Sequence, residues 1–266
     1  MQDTVLFNLA AIVAMTPSSF LALRRGAARD GLFWLVLGIA LLGPVIWMLI
    51  KISGAWQTDL STSLWATIAA SMLIFAISAA VTQEAWRLIP IFSPYMIVLG
   101  LIAAIWGQVD LQPHDISNVS GWTATHILVS VATYGLVTIA AVAALAATLQ
   151  ERSLKSKKSN AFIRGLPSVA DCDHLGMRLL LISEVVLALG LGTGMALLYR
   201  DTGQLLTLDH KTVLTMAAFL LIGVILIAHF RTGLRGRKAA RIVLLAYLLL
   251  TLGYPGVKFV TDVLLA

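Results

Sequence analysis

A series of apolar stretches, each about as long as a bilayer is thick, limits what this chain can become more than any other feature. About 20 apolar residues suffice to cross a membrane as a helix. Lipid admits only helices or closed barrels, because every backbone polar group must be satisfied internally. Eight such stretches run roughly over residues 5–23, 32–50, 64–82, 88–106, 124–150, 177–199, 212–230 and 239–260. Charged residues make up 12% of the chain and hydrophobic residues 59%, whereas a soluble domain carries about 25% charge. The expected fold is all-α: one integral-membrane domain over residues 1–266, a polytopic bundle of about eight transmembrane helices. Pro90 and Pro94 fall in the first turns of the fourth stretch, and Pro17 and Pro44 predict kinks in the first two.

The connections alternate in charge. Arg24, Arg25 and Arg29 follow the first stretch and Arg87 the third. Arg152, Lys155, Lys157, Lys158, Arg164 and Arg178 surround the loop after the fifth, and Arg231, Arg235, Arg237, Lys238 and Arg241 follow the seventh. Of the 19 Lys and Arg, only Lys51, Arg200, Lys211 and Lys258 fall on the other side, together with Asp3, Asp59, Asp110, Asp115, Asp201, Asp209 and Asp262. The positive-inside rule then puts both termini outside. The net charge of +6 follows from this topology and gives no reason to expect nucleic acid as a partner. The N-terminal MQDTVLFNLA has no basic region of the kind that opens a cleaved signal peptide. A bacterial cytoplasmic (inner) membrane is the expected location, with lipid as the surrounding partner.

The fifth stretch carries the chemistry. At helical spacing His126 shares a face with Ser130, Thr133, Tyr134 and Val137, then with Ala141 and Ala144. One stripe is polar or small; the other faces are aliphatic. Such a helix turns its stripe toward other helices. Of the five histidines, His126 and His210 each open a span from the outer side, so both lie near one depth. His229 closes the seventh span from inside, about 28 Å from His210 along a helix, and His114 and His174 lie in loops. Two imidazoles at one level are what a six-coordinate haem iron needs. Lys211, Arg200 or Lys51 could meet the propionates, and Asp209 could orient His210. Each histidine also has a plain reading, as a helix cap or a water-bonded interfacial residue.

Glu184 is the one acid inside a span, and intramembrane ionisable groups are functional hypotheses by default; the plain alternative is snorkelling or an ion pair. Gly190, Gly192 and Gly194 in the same span contain a GxxxG spacing, which predicts close helix packing. With one cysteine, Cys172, the chain has neither a CxxC pair nor the CxxCH motif that attaches haem covalently.

These residues resemble a known family. The run HILVSVATYGLVTIAAVAALAATLQERSLK is similar to the first histidine helix of cytochrome c assembly membrane proteins of the CcsA type. The segment from LGLGTGMALLYR through LDHKT and AHFRTGLRGR to YPGVKFV resembles the rest of that domain, with the short eight-span branch of the HemX and YpjD groups the best match. The resemblance implies that His126 is the outer haem-ligand histidine. It also implies that His229 corresponds to an inner histidine linked to haem passage in larger members. LTLDHKT stands where the family has a tryptophan-rich loop ending in WDPKE; here the tryptophans are missing and His210 replaces the proline. The family's second outer histidine is missing too, so His210 is the substitute ligand. The missing loop presents haem to an apocytochrome, and its absence argues against catalysis in the strict sense.

The expected protein therefore binds haem b non-covalently between His126 and His210, with Ser130, Thr133, Tyr134 and Lys211 lining the pocket. It would support c-type cytochrome assembly or haem trafficking at the outer face, with cytochrome maturation proteins or an apocytochrome as partners. Two rivals are a haem-free scaffold subunit and a proton-coupled solute transporter using Glu184.

Overall fold

A computed structural model describes residues 2–21, 28–53, 59–107, 120–157 and 160–260. Among the described residues the chain is helical throughout, without strands. The order is α1 (Gln2–Phe20), α2 (Gly31–Ser53), α3 (Leu60–Val81), a 3₁₀ turn (Ala85–Leu88), α4 (Ile89–Trp106), α5 (Gly121–Ser156), α6 (Ala161–Gly165), α7 (Val169–Thr202), α8 (His210–Thr232) and α9 (Arg237–Thr251). A π turn (Leu252–Gly256) containing Pro255 then leads into a last helical turn, α10 (Val257–Phe259). Seven of these helices are long and apolar enough to cross a membrane; α1 contributes a shorter apolar segment, Thr4–Phe20. The polytopic helical bundle expected from the apolar stretches is the fold observed.

Two helices reach well beyond the stretches that announced them. Helix α5 starts at Gly121 because the Ser120 side chain caps it, accepting from the Thr123 amide at 3.2 Å. His126 therefore sits in the second turn rather than the first. Helix α7 starts at Val169, where Ser168 and Asp171 form a reciprocal capping box. The connection between them folds back onto the bundle. Gln150 Nε2 donates to the carbonyls of Ile163, Leu166 and Pro167 at 2.9–3.2 Å, and Arg87 Nε donates to Gly165 O at 3.1 Å. Arg235 pairs with Asp173 at 3.7 Å. The basic connections after α3, α5 and α8 thus meet at one end of the bundle, and His126 lies at the other.

Helix α5 is the hub. In its most apolar window 67% of residues are buried inside the protein, against 22% for α8, so α5 is central and α8 peripheral. It packs along α7 on one side and against α3 and α9 on others. Small residues make the close approach possible: Gly135 of α5 leaves a Cβ-sized space only 2.8 Å from Ile74 Cδ1 and 3.3 Å from Ser71 Cα of α3. Gly135→Leu is therefore expected to wedge α3 from α5 and cost about 1–3 kcal/mol, read as a lower melting temperature in detergent. On the far side of α3, Phe75 and Phe92 stack at 4.3 Å between centroids, and Trp65 of the same helix is fully buried.

Candidate functional site

Above the middle of the bundle, α5, α7 and α8 part to leave a cavity of about 300 Å³, at the lower end of the range for small-molecule sites. Helix α5 contributes His126, Ser130, Thr133 and Tyr134 to it. Helix α7 contributes Leu187, Gly190, Leu191, Gly194, Met195 and Leu198. Leu205, Leu206 and Thr207 come from the following connection, and Asp209, Lys211, Thr212, Thr215 and Met216 from the start of α8; Leu250 and Tyr254 close the back. Leucines and methionines share the wall with the hydroxyls of serine, threonine and tyrosine, and one imidazole, one carboxylate and one ammonium group belong to it as well.

His126 is held in a defined way. Its Nδ1 lies 3.1 Å from Thr193 Oγ1 of α7. The threonine has a single hydroxyl proton, and its oxygen also lies 2.9 Å from Leu189 O and 3.1 Å from Gly190 O, either of which can accept it. With that proton on a helix carbonyl, Thr193 accepts from the ring and Nδ1 carries the ring proton; turned toward the ring, the same hydroxyl donates to Nδ1 instead. The first arrangement leaves the lone pair on Nε2, a state in which an imidazole binds metal. Gly194 supplies the room: a Cβ there would stand 3.0 Å from His126 Cε1. Gly190 likewise faces Val129, whereas Gly192 meets nothing within 4 Å. The two glycines of the GxxxG spacing thus seat α5, and one of them seats the imidazole.

The remaining candidates are placed as follows. His210 is exposed and does not line the cavity, although its neighbours Asp209 and Lys211 do. Asp209 caps α8, its Oδ1 accepting from the Thr212 amide at 2.7 Å. Hydrogen bonds from Thr212 hold this carboxyl below the ordinary carboxylate range. The cap is thus fully present above that range and is lost as pH falls through the lowered value. Arg200 is exposed outside the lining, and Lys51 is committed elsewhere, donating to Thr62 Oγ1 at 3.1 Å and lying over the Trp47 ring. His229 Nδ1 bonds Leu234 O at 3.0 Å near the basic end, and His174 is exposed on α7. His114 lies outside the described residues. Glu184 sits below the cavity against α8.

Sequence reasoning missed the tyrosine cluster behind the cavity. The Tyr134 hydroxyl bonds Tyr247 and Thr251, each at 3.1 Å, and Tyr247 bonds Tyr95 in turn. One polar hub therefore ties α4, α5 and α9 together and fixes the ring that backs the cavity. Tyr247→Phe leaves the Tyr95 hydroxyl without this partner. A loss of about 1–3 kcal/mol is expected, again read as thermal stability in detergent. Single tyrosines from three distant spans leave no periodic signal, so only the fold reveals them. Thr193 was missed for a similar reason: its significance lies in a contact across helices.

Comparison with known proteins accords with this fold. The family model described as "Cytochrome C assembly protein" matches residues 32–265. An "Uncharacterized 28.8 kDa protein in nifR3-like 5'region" of Azospirillum brasilense is 50% identical over 272 residues, covering all of both chains. "Inner membrane protein YpjD" of Escherichia coli (strain K12) is 26% identical over 198 residues, 73% of this chain and 72% of that one. The protein is a multi-pass protein of the inner membrane. The family match spans all but the first helix and the end of the chain, and on that extent the chain belongs to the cytochrome c assembly protein family.

Proposed function

We propose that the α5–α7–α8 cavity binds haem and that the protein supports c-type cytochrome assembly or haem trafficking at the face where His126 lies. The observation that carries this reading is the placing of His126: its Nδ1 is tied to Thr193, and its ring lines a cavity of mixed apolar and polar side chains, so that donation from Nδ1 would leave Nε2 for a metal. The residues fit the group. An apolar wall suits a porphyrin body, an imidazole suits iron, and Lys211 at the rim suits a propionate. When bound, haem would supply an iron that a pair of imidazoles, but not one alone, holds low-spin. His126 is the residue assigned to the iron. His210 is the second histidine near this level; because it is exposed on the rim, ligation by two histidines requires its side chain to turn inward. Lys211 would hold the charged edge, and Gly194 and Thr193 would keep the imidazole oriented.

A strain lacking this protein tests the cellular role. Its c-type cytochromes, read as covalent haem on denaturing gels, are expected to fall and to return with the wild-type protein but not with His126→Ala. Unchanged c-type cytochromes in the deleted strain would refute a role in their assembly. The solute-transport rival predicts instead that uptake of a solute is lost with Glu184→Gln.

A further inference from the structure

Beneath the cavity floor a half-buried carboxyl group has too few partners. Glu184 lies one turn below Leu187 on the same side of α7. Its Oε1 rests against Gly223 of α8, where a Cβ would approach it to 3.1 Å. Its Oε2 is buried and has no hydrogen-bond partner among the described residues. The neighbouring positions Leu181, Ile182, Val185 and Leu189 are 46–59% exposed, which in a spanning helix means contact with lipid. Glu184 is about 9 Å along the axis from Arg178, the nearest ionisable residue on α7, so it stands well inside the apolar zone.

Among the described residues no cation is set against it. Arg178 is six residues away, about 240° round the helix. On α8 the ionisable groups gather at the ends, with His210 and Lys211 at one and His229 and Arg231 at the other. His229 is about 9 Å along α8 from Gly223 and is engaged with Leu234 O. On α5, Tyr134 is the only ionisable side chain between His126 and Glu151, and its hydroxyl is bonded to Tyr247 and Thr251. An ionised carboxylate at such a place, with neither cation nor donor, is costly, and a carboxyl there takes up a proton instead.

We propose that Glu184 is a proton-binding site within the bilayer, a neutral carboxylic acid that lets α7 and α8 close beneath the cavity. Loss of the proton would leave an uncompensated charge against Gly223 and part the two helices. This site is independent of the haem reading, since it needs only the α7–α8 seam and can be read in haem-free protein.

Infrared spectroscopy of the full-length protein at pH 7 tests the proposal. The chain has three glutamates, Glu84, Glu151 and Glu184, so ¹³C-labelled glutamate restricts the assignment without any substitution. The expected result is an isotope-shifted carbonyl stretch of a protonated carboxylic acid, absent from Glu184→Gln. If the glutamate signal consists only of ionised carboxylate bands, the proposal is overturned. Labelling with dicyclohexylcarbodiimide gives a second reading. The acid proton passes to a carbodiimide nitrogen while the carboxyl oxygen bonds to the central carbon; an oxygen-to-nitrogen acyl shift then gives a stable adduct from which nothing leaves. At pH 7 the Glu184 peptide should gain the full reagent mass, and Glu184→Gln should not. Reaction of Glu184 only with a water-soluble carbodiimide would place the group in water and contradict the assignment.

Discussion

Replacing His126 with alanine is expected to remove haem from the purified protein, with a loss of affinity larger than about 100-fold. Removing an outer partner of a metal-bound histidine already costs about 10–100-fold, and here the proposed ligand itself goes. The aliphatic walls from Leu187 to Met216 remain, so some hydrophobic retention of the porphyrin survives while the low-spin spectrum does not. Absorption of the Soret band per mole of protein is the measurement. His126→Gly separates ligation from packing, because added imidazole can enter the space left by the ring. Recovery of the low-spin spectrum on adding imidazole assigns the loss to the missing ligand. Unchanged haem content in His126→Ala would remove His126 from the iron.

Thr193→Val carries the next largest effect. Valine keeps the shape but offers Nδ1 no hydrogen-bond partner, so the ring is free to turn. Haem affinity should fall by about 10–100-fold, with Thr193→Ser close to wild type because it retains an oxygen at the same position. Thermal stability should change little in either variant, since Thr193 is only partly buried and lies outside the packed core. A binding loss common to both variants would mean that side-chain shape, and not the hydrogen bond at 3.1 Å, is what matters.

The bundle itself was largely legible, because a bilayer forces each long apolar stretch into a helix whatever its detailed propensities. The ends of those helices were not. Helix α5 runs on to Ser156 and α7 starts at Val169 because polar turns outside the hydrocarbon are governed by caps and by Gln150 rather than by hydropathy. The stripe of His126, Ser130, Thr133 and Tyr134 could be read from periodicity alone, and so could the small residues of α7, since both are properties of one helix. His210 shows the limit of such reasoning. Counting residues gives its depth, but depth says nothing about the direction in which a side chain points from the start of α8. Thr193 and the Tyr95–Tyr134–Tyr247 hub lie beyond that limit as well, because each depends on which faces of separate helices meet.

The most direct measurement is the haem-to-protein ratio of the wild-type protein purified in mild detergent from haem-replete cells. If His126 holds iron in the α5–α7–α8 cavity, the preparation is coloured, with haem b approaching equimolarity with the chain and a spectrum that depends on His126. A colourless preparation that also fails to take up added haem would contradict the assignment and leave a family bundle whose cavity serves some other ligand.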